Sequence, residues 1–433
     1  MFGLTARGTS VRTEILAGAT TFLTMAYIVV VNPLILGQAG LPIEAVTAAT
    51  CLAAAFGCIL MGFMANVPLA MAPGMGLNAY FTFVVVKGMG VPWQTALGCV
   101  FISGVVFLIL TLAGVRQLIV NAIPRSLFAA VAAGIGLFIA FIGLKDAGIV
   151  VADPGTTVGL GDLTKPEALT ALAGKAIIAA LMIRKVKAAI LIGVLLATAL
   201  GAVLGLVHYT PGGGVQALAD TAFKLDLKAA VGLNGGGAAA LIEIIFVFLF
   251  VDLFDNVGTL VAVTKKAGLV DADGRIPKLN RILLTDSIAS MVGAVAGTTT
   301  VTSYIESSAG VAAGGRTGLT AIVVGLLFLL ALFVAPLVRL VPTAAAAPAL
   351  ILVGAMMMSS LGEIDWTDPM VAIPAFLTLI AIPLTFSIAN GLAFGITAYA
   401  VLKLLSGKAS KADVPLFLLA LLFVLRFLYL GRS

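Results

Sequence analysis

Charged residues are scarce in this sequence. They make up 10% of the 433 residues, whereas about a quarter of a typical soluble domain is charged. Apolar residues make up 61%, and the stretches between the apolar runs are too short to form a soluble domain. The composition therefore excludes a soluble protein and predicts a polytopic helical membrane protein.

Histidine and cysteine, which often build catalytic and metal centres, are nearly absent. There is one histidine, and the three cysteines, Cys51, Cys58 and Cys99, all lie in apolar runs. Cysteines in such runs are expected to be small core residues, not disulfide partners or metal ligands. We therefore expect no metal and no cofactor. The formal net charge of +6 is typical of a membrane protein oriented by basic loops, and it does not indicate a nucleic-acid partner.

Long apolar runs dominate the chain, and each is a candidate span because about 20 apolar residues cross the hydrocarbon core. Fourteen runs occur, several of them short or interrupted by glycine. They cover residues 15–36, 43–65, 67–87, 93–114, 125–144, 168–183, 188–208, 238–263, 283–297, 298–312, 317–338, 343–361, 367–386 and 388–405. The predicted fold is all-α with about 14 transmembrane segments, and the further run 414–430 is predicted to be an interfacial helix.

The basic residues predict the orientation, since cytoplasmic loops carry an excess of lysine and arginine. With a cytoplasmic N-terminus, most basic loops fall on the cytoplasmic side: Arg184, Lys185 and Lys187, the loop 265–281, Arg316 and Lys403. The opposite loops then keep mainly Lys87, Lys145, Lys165, Lys224, Lys228 and Arg339. We expect a multi-pass protein in the lipid bilayer of the cell membrane.

One apolar run, 241–263, contains Asp252 and Asp255 well inside it. An ionised carboxylate at the centre of a spanning helix costs about 2.5–3.5 kcal/mol on insertion scales, so such residues usually face a cavity or a partner. Helical spacing places Asp252, Asp255 and Thr259 along one face. This face is a candidate functional site, and the alternative is that the two carboxylates only bridge helices.

Two segments read as broken helices. Residues 71–81 place a proline and two glycines within apolar sequence and include Asn78 and Tyr80. Residues 297–310 are rich in β-branched and hydroxyl residues, which are poor helix formers, and include Tyr304 and Glu306. Non-helical backbone at membrane depth is tolerated only where protein buries it or a cavity adjoins it. A matched pair of such segments, here segments 3 and 10, predicts a transporter site.

The spacing of polar residues favours an internal repeat. Thr24 lies 54 positions before Asn78, and Asp255 lies 51 positions before Glu306. Seven runs precede residue 209 and seven follow it. An odd number of spans in each half makes the two halves inverted in topology, so the sequence is consistent with a 7+7 inverted repeat.

Five stretches also resemble a known family. The sequence is similar to the AzgA-like purine permeases, a branch of the xanthine/uracil permease (nucleobase–cation symporter) superfamily. The stretches that carry the resemblance are GATTFLTMAYIVVVNP (18–33), MAPGMGLNAYF (71–81), FLFVDLFDNVGTL (248–260), TSYIESSAGVAAGGRTGLTA (302–321) and PAFLTLIAIPLTFSIANGLAFGI (374–396).

The resemblance implies a core domain that holds the substrate, a gate domain that flanks it, and assembly as a homodimer. The implied boundaries are 14–114 and 236–340 for the core, 115–208 and 341–412 for the gate, and 413–433 for a C-terminal interfacial helix. By matching motifs, Asp255 and Glu306 take the positions of the two site acids and Asn78 that of the polar residue in segment 3. Asn256 departs from the family pattern, which usually has threonine there.

The residue types suit a purine base. A carboxylate accepts two N–H groups side by side, such as N1–H and the 2-amino group of guanine. Asp255, Glu306, Asn78 and Thr24 are the predicted polar contacts. Backbone N–H groups near Tyr80 and Tyr304 are predicted donors, and Tyr27, Phe81 or Tyr304 is the predicted stacking residue. Guanine and hypoxanthine fit an ionised acid better than adenine does, because adenine presents an acceptor at N1.

Concentrating a neutral base requires a driving ion, and the resemblance points to cation symport. Closely placed carboxylates in a poorly hydrated cavity do not all ionise cheaply, so they are candidates for carrying a proton. The predicted proton-coupling residues are Asp252, Asp255 and Glu306, with Asp252 the first choice. The predicted function is import of purine bases by proton symport.

Four alternatives remain at this level. An anion transporter of the same architecture would present helix N-termini and a cation to its substrate. A uracil or xanthine transporter would use the same architecture. A membrane-embedded enzyme would need a catalytic or metal motif, and a channel would need rings of like residues or a repeated filter loop. The acids at 255 and 306 argue against the anion transporter.

Overall fold

The computed structural model describes residues 2–114, 124–207, 214–232, 238–270, 276, 278–410 and 413–430. Five of the predicted domain limits, residues 115, 208, 236, 412 and 433, lie outside these ranges. The α-helices are α1 (Val11–Met25), α2 (Ile28–Gly37), α3 (Ile43–Met64), α4 (Met75–Ala79), α5 (Trp93–Leu112), α6 (Arg125–Asp146), α7 (Pro166–Ile183), α8 (Ala189–Val203), α9 (Leu227–Ala230), α10 (Ala238–Lys266), α11 (Leu279–Ala296), α12 (Ser307–Ala312), α13 (Gly318–Ala331), α14 (Thr343–Met357), α15 (Pro369–Leu384), α16 (Ile388–Leu405) and α17 (Val414–Leu430).

Other elements interrupt or extend these helices. The strands are β1 (Met71–Pro73), β2 (Val150–Asp153), β3 (Thr157–Leu160) and β4 (Val301–Ser303). A π-helix, Tyr80–Val86, continues α4. Tight 3₁₀ turns occur at Thr5–Arg7, Gly214–Asp220, Leu332–Leu340 and Met358–Glu363.

The described helices confirm the prediction of a multi-pass helical protein. Ten of them are long and apolar enough to span a membrane, and the first, Val11–Gly37, joins α1 and α2. Shorter apolar helices are Met75–Val86, Ala189–Val203, Pro369–Leu384 and Val414–Leu425. Segment 3 combines β1 with the short helix Met75–Val86, and segment 10 combines β4 with α12, so neither is a full-length helix.

The two broken segments meet in the middle of the fold. β1 and β4 pair antiparallel, with Met71 opposite Ser303 and Pro73 opposite Val301. The pairing continues at both ends, because the Gly74 N–H donates to the Thr300 carbonyl and the Tyr304 N–H donates to the Ala70 carbonyl, both at 2.9 Å. Each strand thus satisfies backbone groups of the other, which allows extended chain at membrane depth. Segments from opposite halves of the sequence are thereby brought together.

Glycine lets two pairs of helices approach closely. A Cβ added at Gly318 in α13 would lie 2.1 Å from the Gly62 carbonyl oxygen of α3. Likewise, a Cβ added at Gly354 in α14 would lie 2.3 Å from the Gly136 carbonyl oxygen of α6. Small residues at such crossings let membrane helices pack backbone to backbone. Each crossing joins a helix of the first half to one of the second half.

Hydrogen bonds from Arg7 and to Glu14 join the N-terminal segment to the start of α13, and this set of contacts is called the N-terminal clasp. The Arg7 guanidinium donates to the carbonyls of Asn66 at 2.7 Å and Arg316 at 2.8 Å. The buried Glu14 carboxylate accepts from the backbone N–H groups of Arg316 at 2.9 Å and Thr320 at 3.1 Å, and from the Thr320 hydroxyl at 2.5 Å. Glu14 therefore satisfies N–H groups at a helix start that have no partner within the helix.

At the other end of the membrane spans, a side-chain hydrogen bond links α2 to α6. Gln38, just after α2, donates to Asp146 at the end of α6, with Nε2 and Oδ2 3.0 Å apart. Lys87 donates to Gln38 Oε1 at 3.3 Å. Because Gln38 and Arg7 flank the same span, the Gln38–Asp146 contact and the N-terminal clasp lie on opposite faces of the protein.

A β-hairpin, β2–β3, follows α6 on the Gln38 face. The turn between its strands is set by Asp153, whose carboxylate accepts from the backbone N–H groups of Thr156 at 2.9 Å and Gly155 at 2.8 Å. These bonds, that of Thr156 first, favour the ionised form and hold the pKa of Asp153 below its usual value. The hairpin was not predicted, because hydropathy identifies spans and not the structure of short loops.

Candidate substrate site

A cavity of about 710 Å³ lies between the spans. Its walls come from α1, α6, α10, α12 and α14, from the connection between α7 and α8, and from the turn Met358–Glu363. Half-buried Asp255 and Glu306 line its inner part, and exposed Lys185, Lys187 and Lys266 line its mouth. Both predicted site acids are thus reached from one cavity.

Asp255 is placed by α10 and by the break in segment 3. Asp255, Thr259 and Ala262 follow one another along the helical face that lines the cavity. A Cβ added at Gly74, the residue before α4, would lie 3.7 Å from Asp255 Oδ2 and 3.0 Å from Thr302 Cγ2. A side chain at position 74 would be crowded by Thr302 and would make only an ordinary contact with Asp255, so the carboxylate lies beside the start of α4.

Glu306 is placed by the break in segment 10 and by a tyrosine from the first span. It directly precedes α12, and its Oε1 accepts a hydrogen bond of 2.7 Å from the Tyr27 hydroxyl. Tyr27 is buried at the turn between α1 and α2. The phenol occupies one carboxylate oxygen and fixes the direction in which the other can bind. The turn in the first span and the break in segment 10 therefore meet at Glu306.

The electrostatics of the site combine opposing influences. Asp255 and Glu306 are close enough to repel each other when both are ionised. Each lies next to the N-terminal end of a short helix, where the backbone N–H groups attract negative charge. Such a pair can hold a shared proton, or can accept N–H groups from a ligand when ionised.

Thr24, one of the predicted substrate contacts, lines the cavity, whereas three other predicted contacts lie behind its wall. Asn78 is fully buried, and its Oδ1 accepts from the Thr299 hydroxyl. The Tyr304 hydroxyl donates to the Pro73 carbonyl at 2.5 Å. Tyr80 packs edge-on against Phe248, with ring centroids 5.2 Å apart.

The two predicted backbone donors are also engaged. The Tyr304 N–H donates to Ala70, and the Tyr80 N–H donates to carbonyls in the preceding turn of its own helix. In this conformation the backbone N–H groups of Tyr80 and Tyr304 stabilise the interrupted segments next to the two acids. Their contact with a substrate stays a prediction.

Two residues of α10 near Asp255 are buried and are not among the residues that line the cavity. Asp252 is 4% exposed and Asn256 is fully buried. Asp252 lies one helical turn before Asp255, so the proposed proton carrier is near the site without lining it. Asn256, which departs from the family pattern, follows Asp255 directly and belongs to the packed interior.

Sequence reasoning missed two features. Tyr27 was predicted to stack on a base, and the structure instead shows its hydroxyl bonded to Glu306. The sequence signal for this contact is that Tyr27 is a single tyrosine in an apolar run and needs a hydrogen-bond partner for its hydroxyl. The second feature is the cluster of lysines at the mouth, for which the sequence pattern indicates only the orientation of the loops. Phe81, also a stacking candidate, is buried beside Phe248.

The fold is shared with solved transporters. The transmembrane domain of a cyanobacterium bicarbonate transporter, BicA, matches with a TM-score of 0.66 at 16% identity, covering 89% of this chain and 97% of that one. At this identity the likeness concerns the fold alone. It confirms the predicted 7+7 inverted repeat, and together with the spanning-length helices among the described residues it defines the class as a multi-pass membrane protein.

The sequence comparisons then give the family. The model of the xanthine/uracil permease family, described as "Permease family", matches residues 12–394. Adenine permease AdeP of Escherichia coli (strain K12) is 47% identical over 430 residues, covering 99% of this chain and 96% of that one. Guanine/hypoxanthine permease PbuG of Bacillus subtilis (strain 168) is 47% identical over 434 residues, covering 98% of each chain. The chain belongs to this permease family, which confirms the resemblance, and its relatives are transporters and not enzymes.

Proposed function

We propose that the protein imports purine nucleobases across the cell membrane by proton symport. The observation that carries the proposal is that Asp255 and Glu306, from two separate spans, share one cavity. Two carboxylates suit a flat neutral ligand edged with N–H groups, and they disfavour an anion. The names of the relatives support the same class of substrate, because they are purine permeases.

Guanine and hypoxanthine are the favoured substrates, with adenine as a further one. The first two bases present N1–H next to the C6 carbonyl, and an ionised carboxylate accepts that hydrogen. Adenine has an acceptor at N1, so it suits a protonated acid, which donates there while accepting from the 6-amino group. AdeP and PbuG are both 47% identical to this chain, so overall identity favours neither substrate group.

The proton is proposed to travel on the acid group around the site. We assign the proton to Asp252, Asp255 and Glu306 together, because interacting carboxylates titrate as a group and not as single residues. Binding of base and proton together from outside, followed by release of both inside, couples the two fluxes. Asp252 remains the first choice because Asp255 and Glu306 are assigned to the base.

Transport is proposed to proceed by movement of a core domain against a gate domain. The core comprises 14–114 and 236–340, and the gate comprises 115–208 and 341–412. The glycine crossings support this division, since α3 packs on α13 and α6 packs on α14. Residues 413–433 are proposed to form a separate interfacial element, of which α17 contacts the rest through Phe423 against Phe246.

We further propose a cytoplasmic N-terminus and assembly as a homodimer. The N-terminal clasp, which contains Arg7 and Arg316, lies on the face of the N-terminus, and basic residues favour the cytoplasm. The cavity opens next to Lys185 and Lys187, while Gln38 and Asp146 meet at the opposite end. The structure then corresponds to an inward-facing state.

Uptake of a radiolabelled purine by cells that lack their own purine carriers tests the proposal. Guanine, hypoxanthine, adenine, xanthine, uracil and bicarbonate are added separately as unlabelled competitors. We expect saturable uptake that guanine and hypoxanthine suppress most strongly. Absence of saturable purine uptake, or suppression by uracil or bicarbonate in place of purines, contradicts the proposal.

A further inference from the structure

The cavity is much larger than a purine base, and its two ends differ in charge. Pockets of 300–1,000 Å³ typically hold drug-sized ligands, and this one measures about 710 Å³. Asp255 and Glu306 lie at the inner end. Lys185, Lys187 and Lys266 lie at the mouth with Glu363 as the acidic residue among them. A bound base leaves this positive part of the cavity unfilled.

Lys187 is held at a defined distance from the acids. Its Nζ donates to the Thr20 hydroxyl in α1 at 3.1 Å. Thr24, one turn further along α1, lines the cavity, and Tyr27 then bonds to Glu306. The seven positions from Thr20 to Tyr27 correspond to about 10 Å along the helix axis. The Lys187 ammonium is therefore on the same wall as Glu306, about two helical turns towards the mouth.

Lys266 approaches from another wall of the cavity, formed by α10. It lies eleven positions after Asp255 in α10, or about 16 Å along the axis. Helical side chains lean towards the helix N-terminus, so the long lysine side chain leans back towards Asp255. The adjacent Lys265 lies about 100° further round the helix, off the direction of the cavity. Lys187 and Lys266 thus flank the route from the mouth to the acids.

We propose that the mouth is a phosphate site for purine ribonucleoside monophosphates. This inference rests on the proposed function. The base occupies the acid pair, N9 points to the mouth, and the ribose carries the phosphate to Lys187 and Lys266. In a monophosphate, the base and the ribose together separate the N1 edge from the phosphate, and this combined length suits the roughly 10 Å between the acids and Lys187 along α1. Lysine ammonium groups bind phosphate as point charges.

A bound nucleotide has a predictable effect on transport. Its phosphate adds charge that the closed, poorly hydrated state of the carrier cannot accommodate cheaply, so the nucleotide occupies the site without crossing. It therefore inhibits transport, and only from the side on which the lysines lie. In the proposed orientation that side is the cytoplasm.

Competition binding with the purified full-length protein tests this inference. The label is whichever of guanine, hypoxanthine or adenine the uptake assay selects, and the competitors are its nucleoside and its 5′-monophosphate. We expect the monophosphate to compete at about tenfold lower concentration than the nucleoside, the order given by one or two partly exposed charge pairs. The K187A/K266A double variant is expected to lose that ratio, and added salt is expected to reduce it.

Matched controls separate the outcomes. Lys265→Ala is expected to keep the wild-type ratio, and Lys187→Arg to keep most of it. Equal competition by nucleoside and monophosphate in a protein that binds the base overturns the phosphate site and leaves the proposed function intact. The phosphate site is also overturned if Lys265→Ala loses the preference for monophosphate over nucleoside, or if inorganic phosphate alone competes with the base as well as the monophosphate does. Failure of any purine base to bind overturns both proposals. In vesicles of defined orientation, inhibition from the face opposite the lysines contradicts the inference.

Discussion

The Tyr27 hydroxyl donates a hydrogen bond of 2.7 Å to Glu306 Oε1, across 279 positions of sequence. This contact joins the turn between α1 and α2 to the break that precedes α12. It leaves one oxygen of Glu306 available to a ligand and makes the first span part of the site. Asp255 lies in the same cavity. Conservative substitutions at Tyr27, Asp255 and Glu306 are therefore expected to affect base binding and proton coupling to different extents.

Replacing either site acid is expected to abolish transport. Asp255→Ala and Glu306→Ala each remove a group retained at membrane depth despite its insertion cost. Purine uptake should fall to background while the protein still reaches the membrane, as shown by uptake together with surface labelling. Glu243→Gln is the matched control, since Glu243 lies about 18 Å before Asp255 along α10 and should have a mild effect. Normal uptake by either alanine variant removes that residue from the site.

Tyr27→Phe tests the hydrogen bond without removing the ring. Net contributions of hydrogen bonds to charged groups are about 1.5–3 kcal/mol, so KM for the base should rise by about tenfold or more. Uptake kinetics measure the change, and surface labelling checks the amount of protein. Tyr399→Phe, on half-buried Tyr399 of α16, should leave KM unchanged. An unchanged KM in Tyr27→Phe would show that the phenol does not position Glu306 for the substrate.

Asn78 is expected to act together with Thr299. The Thr299 hydroxyl donates to Asn78 Oδ1 behind the cavity, so either change disturbs the same support. Asn78→Ala and Thr299→Val should each weaken binding or shift the ranking among bases in a competition assay. The effects of substitutions within one hydrogen-bond network are not additive. The double variant should therefore bind the base no more weakly than the weaker of the two single variants. An unaltered competition profile in Asn78→Ala indicates a purely local structural role.

Proton coupling predicts a definite response to pH and to ionophores. A protonophore should collapse accumulation, and raising external pH should slow uptake, because fewer carriers are protonated while they face outside. Asp252→Asn should retain base binding but lose accumulation against a gradient. These effects are measured by uptake in vesicles with imposed pH gradients. Accumulation that follows a sodium gradient and ignores pH between about 5.5 and 8 contradicts proton symport.

Glu14→Gln should destabilise the protein without altering the cavity. The buried carboxylate accepts from Arg316, Thr317 and Thr320 at the start of α13. An amide replaces one of its acceptor oxygens with a donor, so the loss is of the order of 3 kcal/mol. Melting in detergent measures it, and exposed Glu167→Gln in the first turn of α7 should have no effect. Equal melting temperatures for both variants and wild type contradict a stabilising role of the N-terminal clasp.

The sequence by itself determined the spans, the breaks and which acids are candidates for the site. Apolar runs of spanning length, the proline and glycines near Asn78 and the β-branched run before Glu306 are local properties, because insertion cost and helix propensity act over a few adjacent residues. For the same reason, Asp255 and Glu306 stood out without any knowledge of packing. The prediction that they share a site follows from the expense of an unpartnered acid at membrane depth.

Only the tertiary structure decided which side chains meet around those acids. The pairing of β1 with β4 fixes the register between segments 3 and 10, and a different register would turn other side chains towards the cavity. That pairing places Tyr304 and Asn78 behind the wall, and the turn at Tyr27 brings its hydroxyl to Glu306. The position of Lys187 likewise depends on contact between α1 and a loop 167 positions away. Such contacts depend on how separate helices pack, which no local pattern in the sequence encodes.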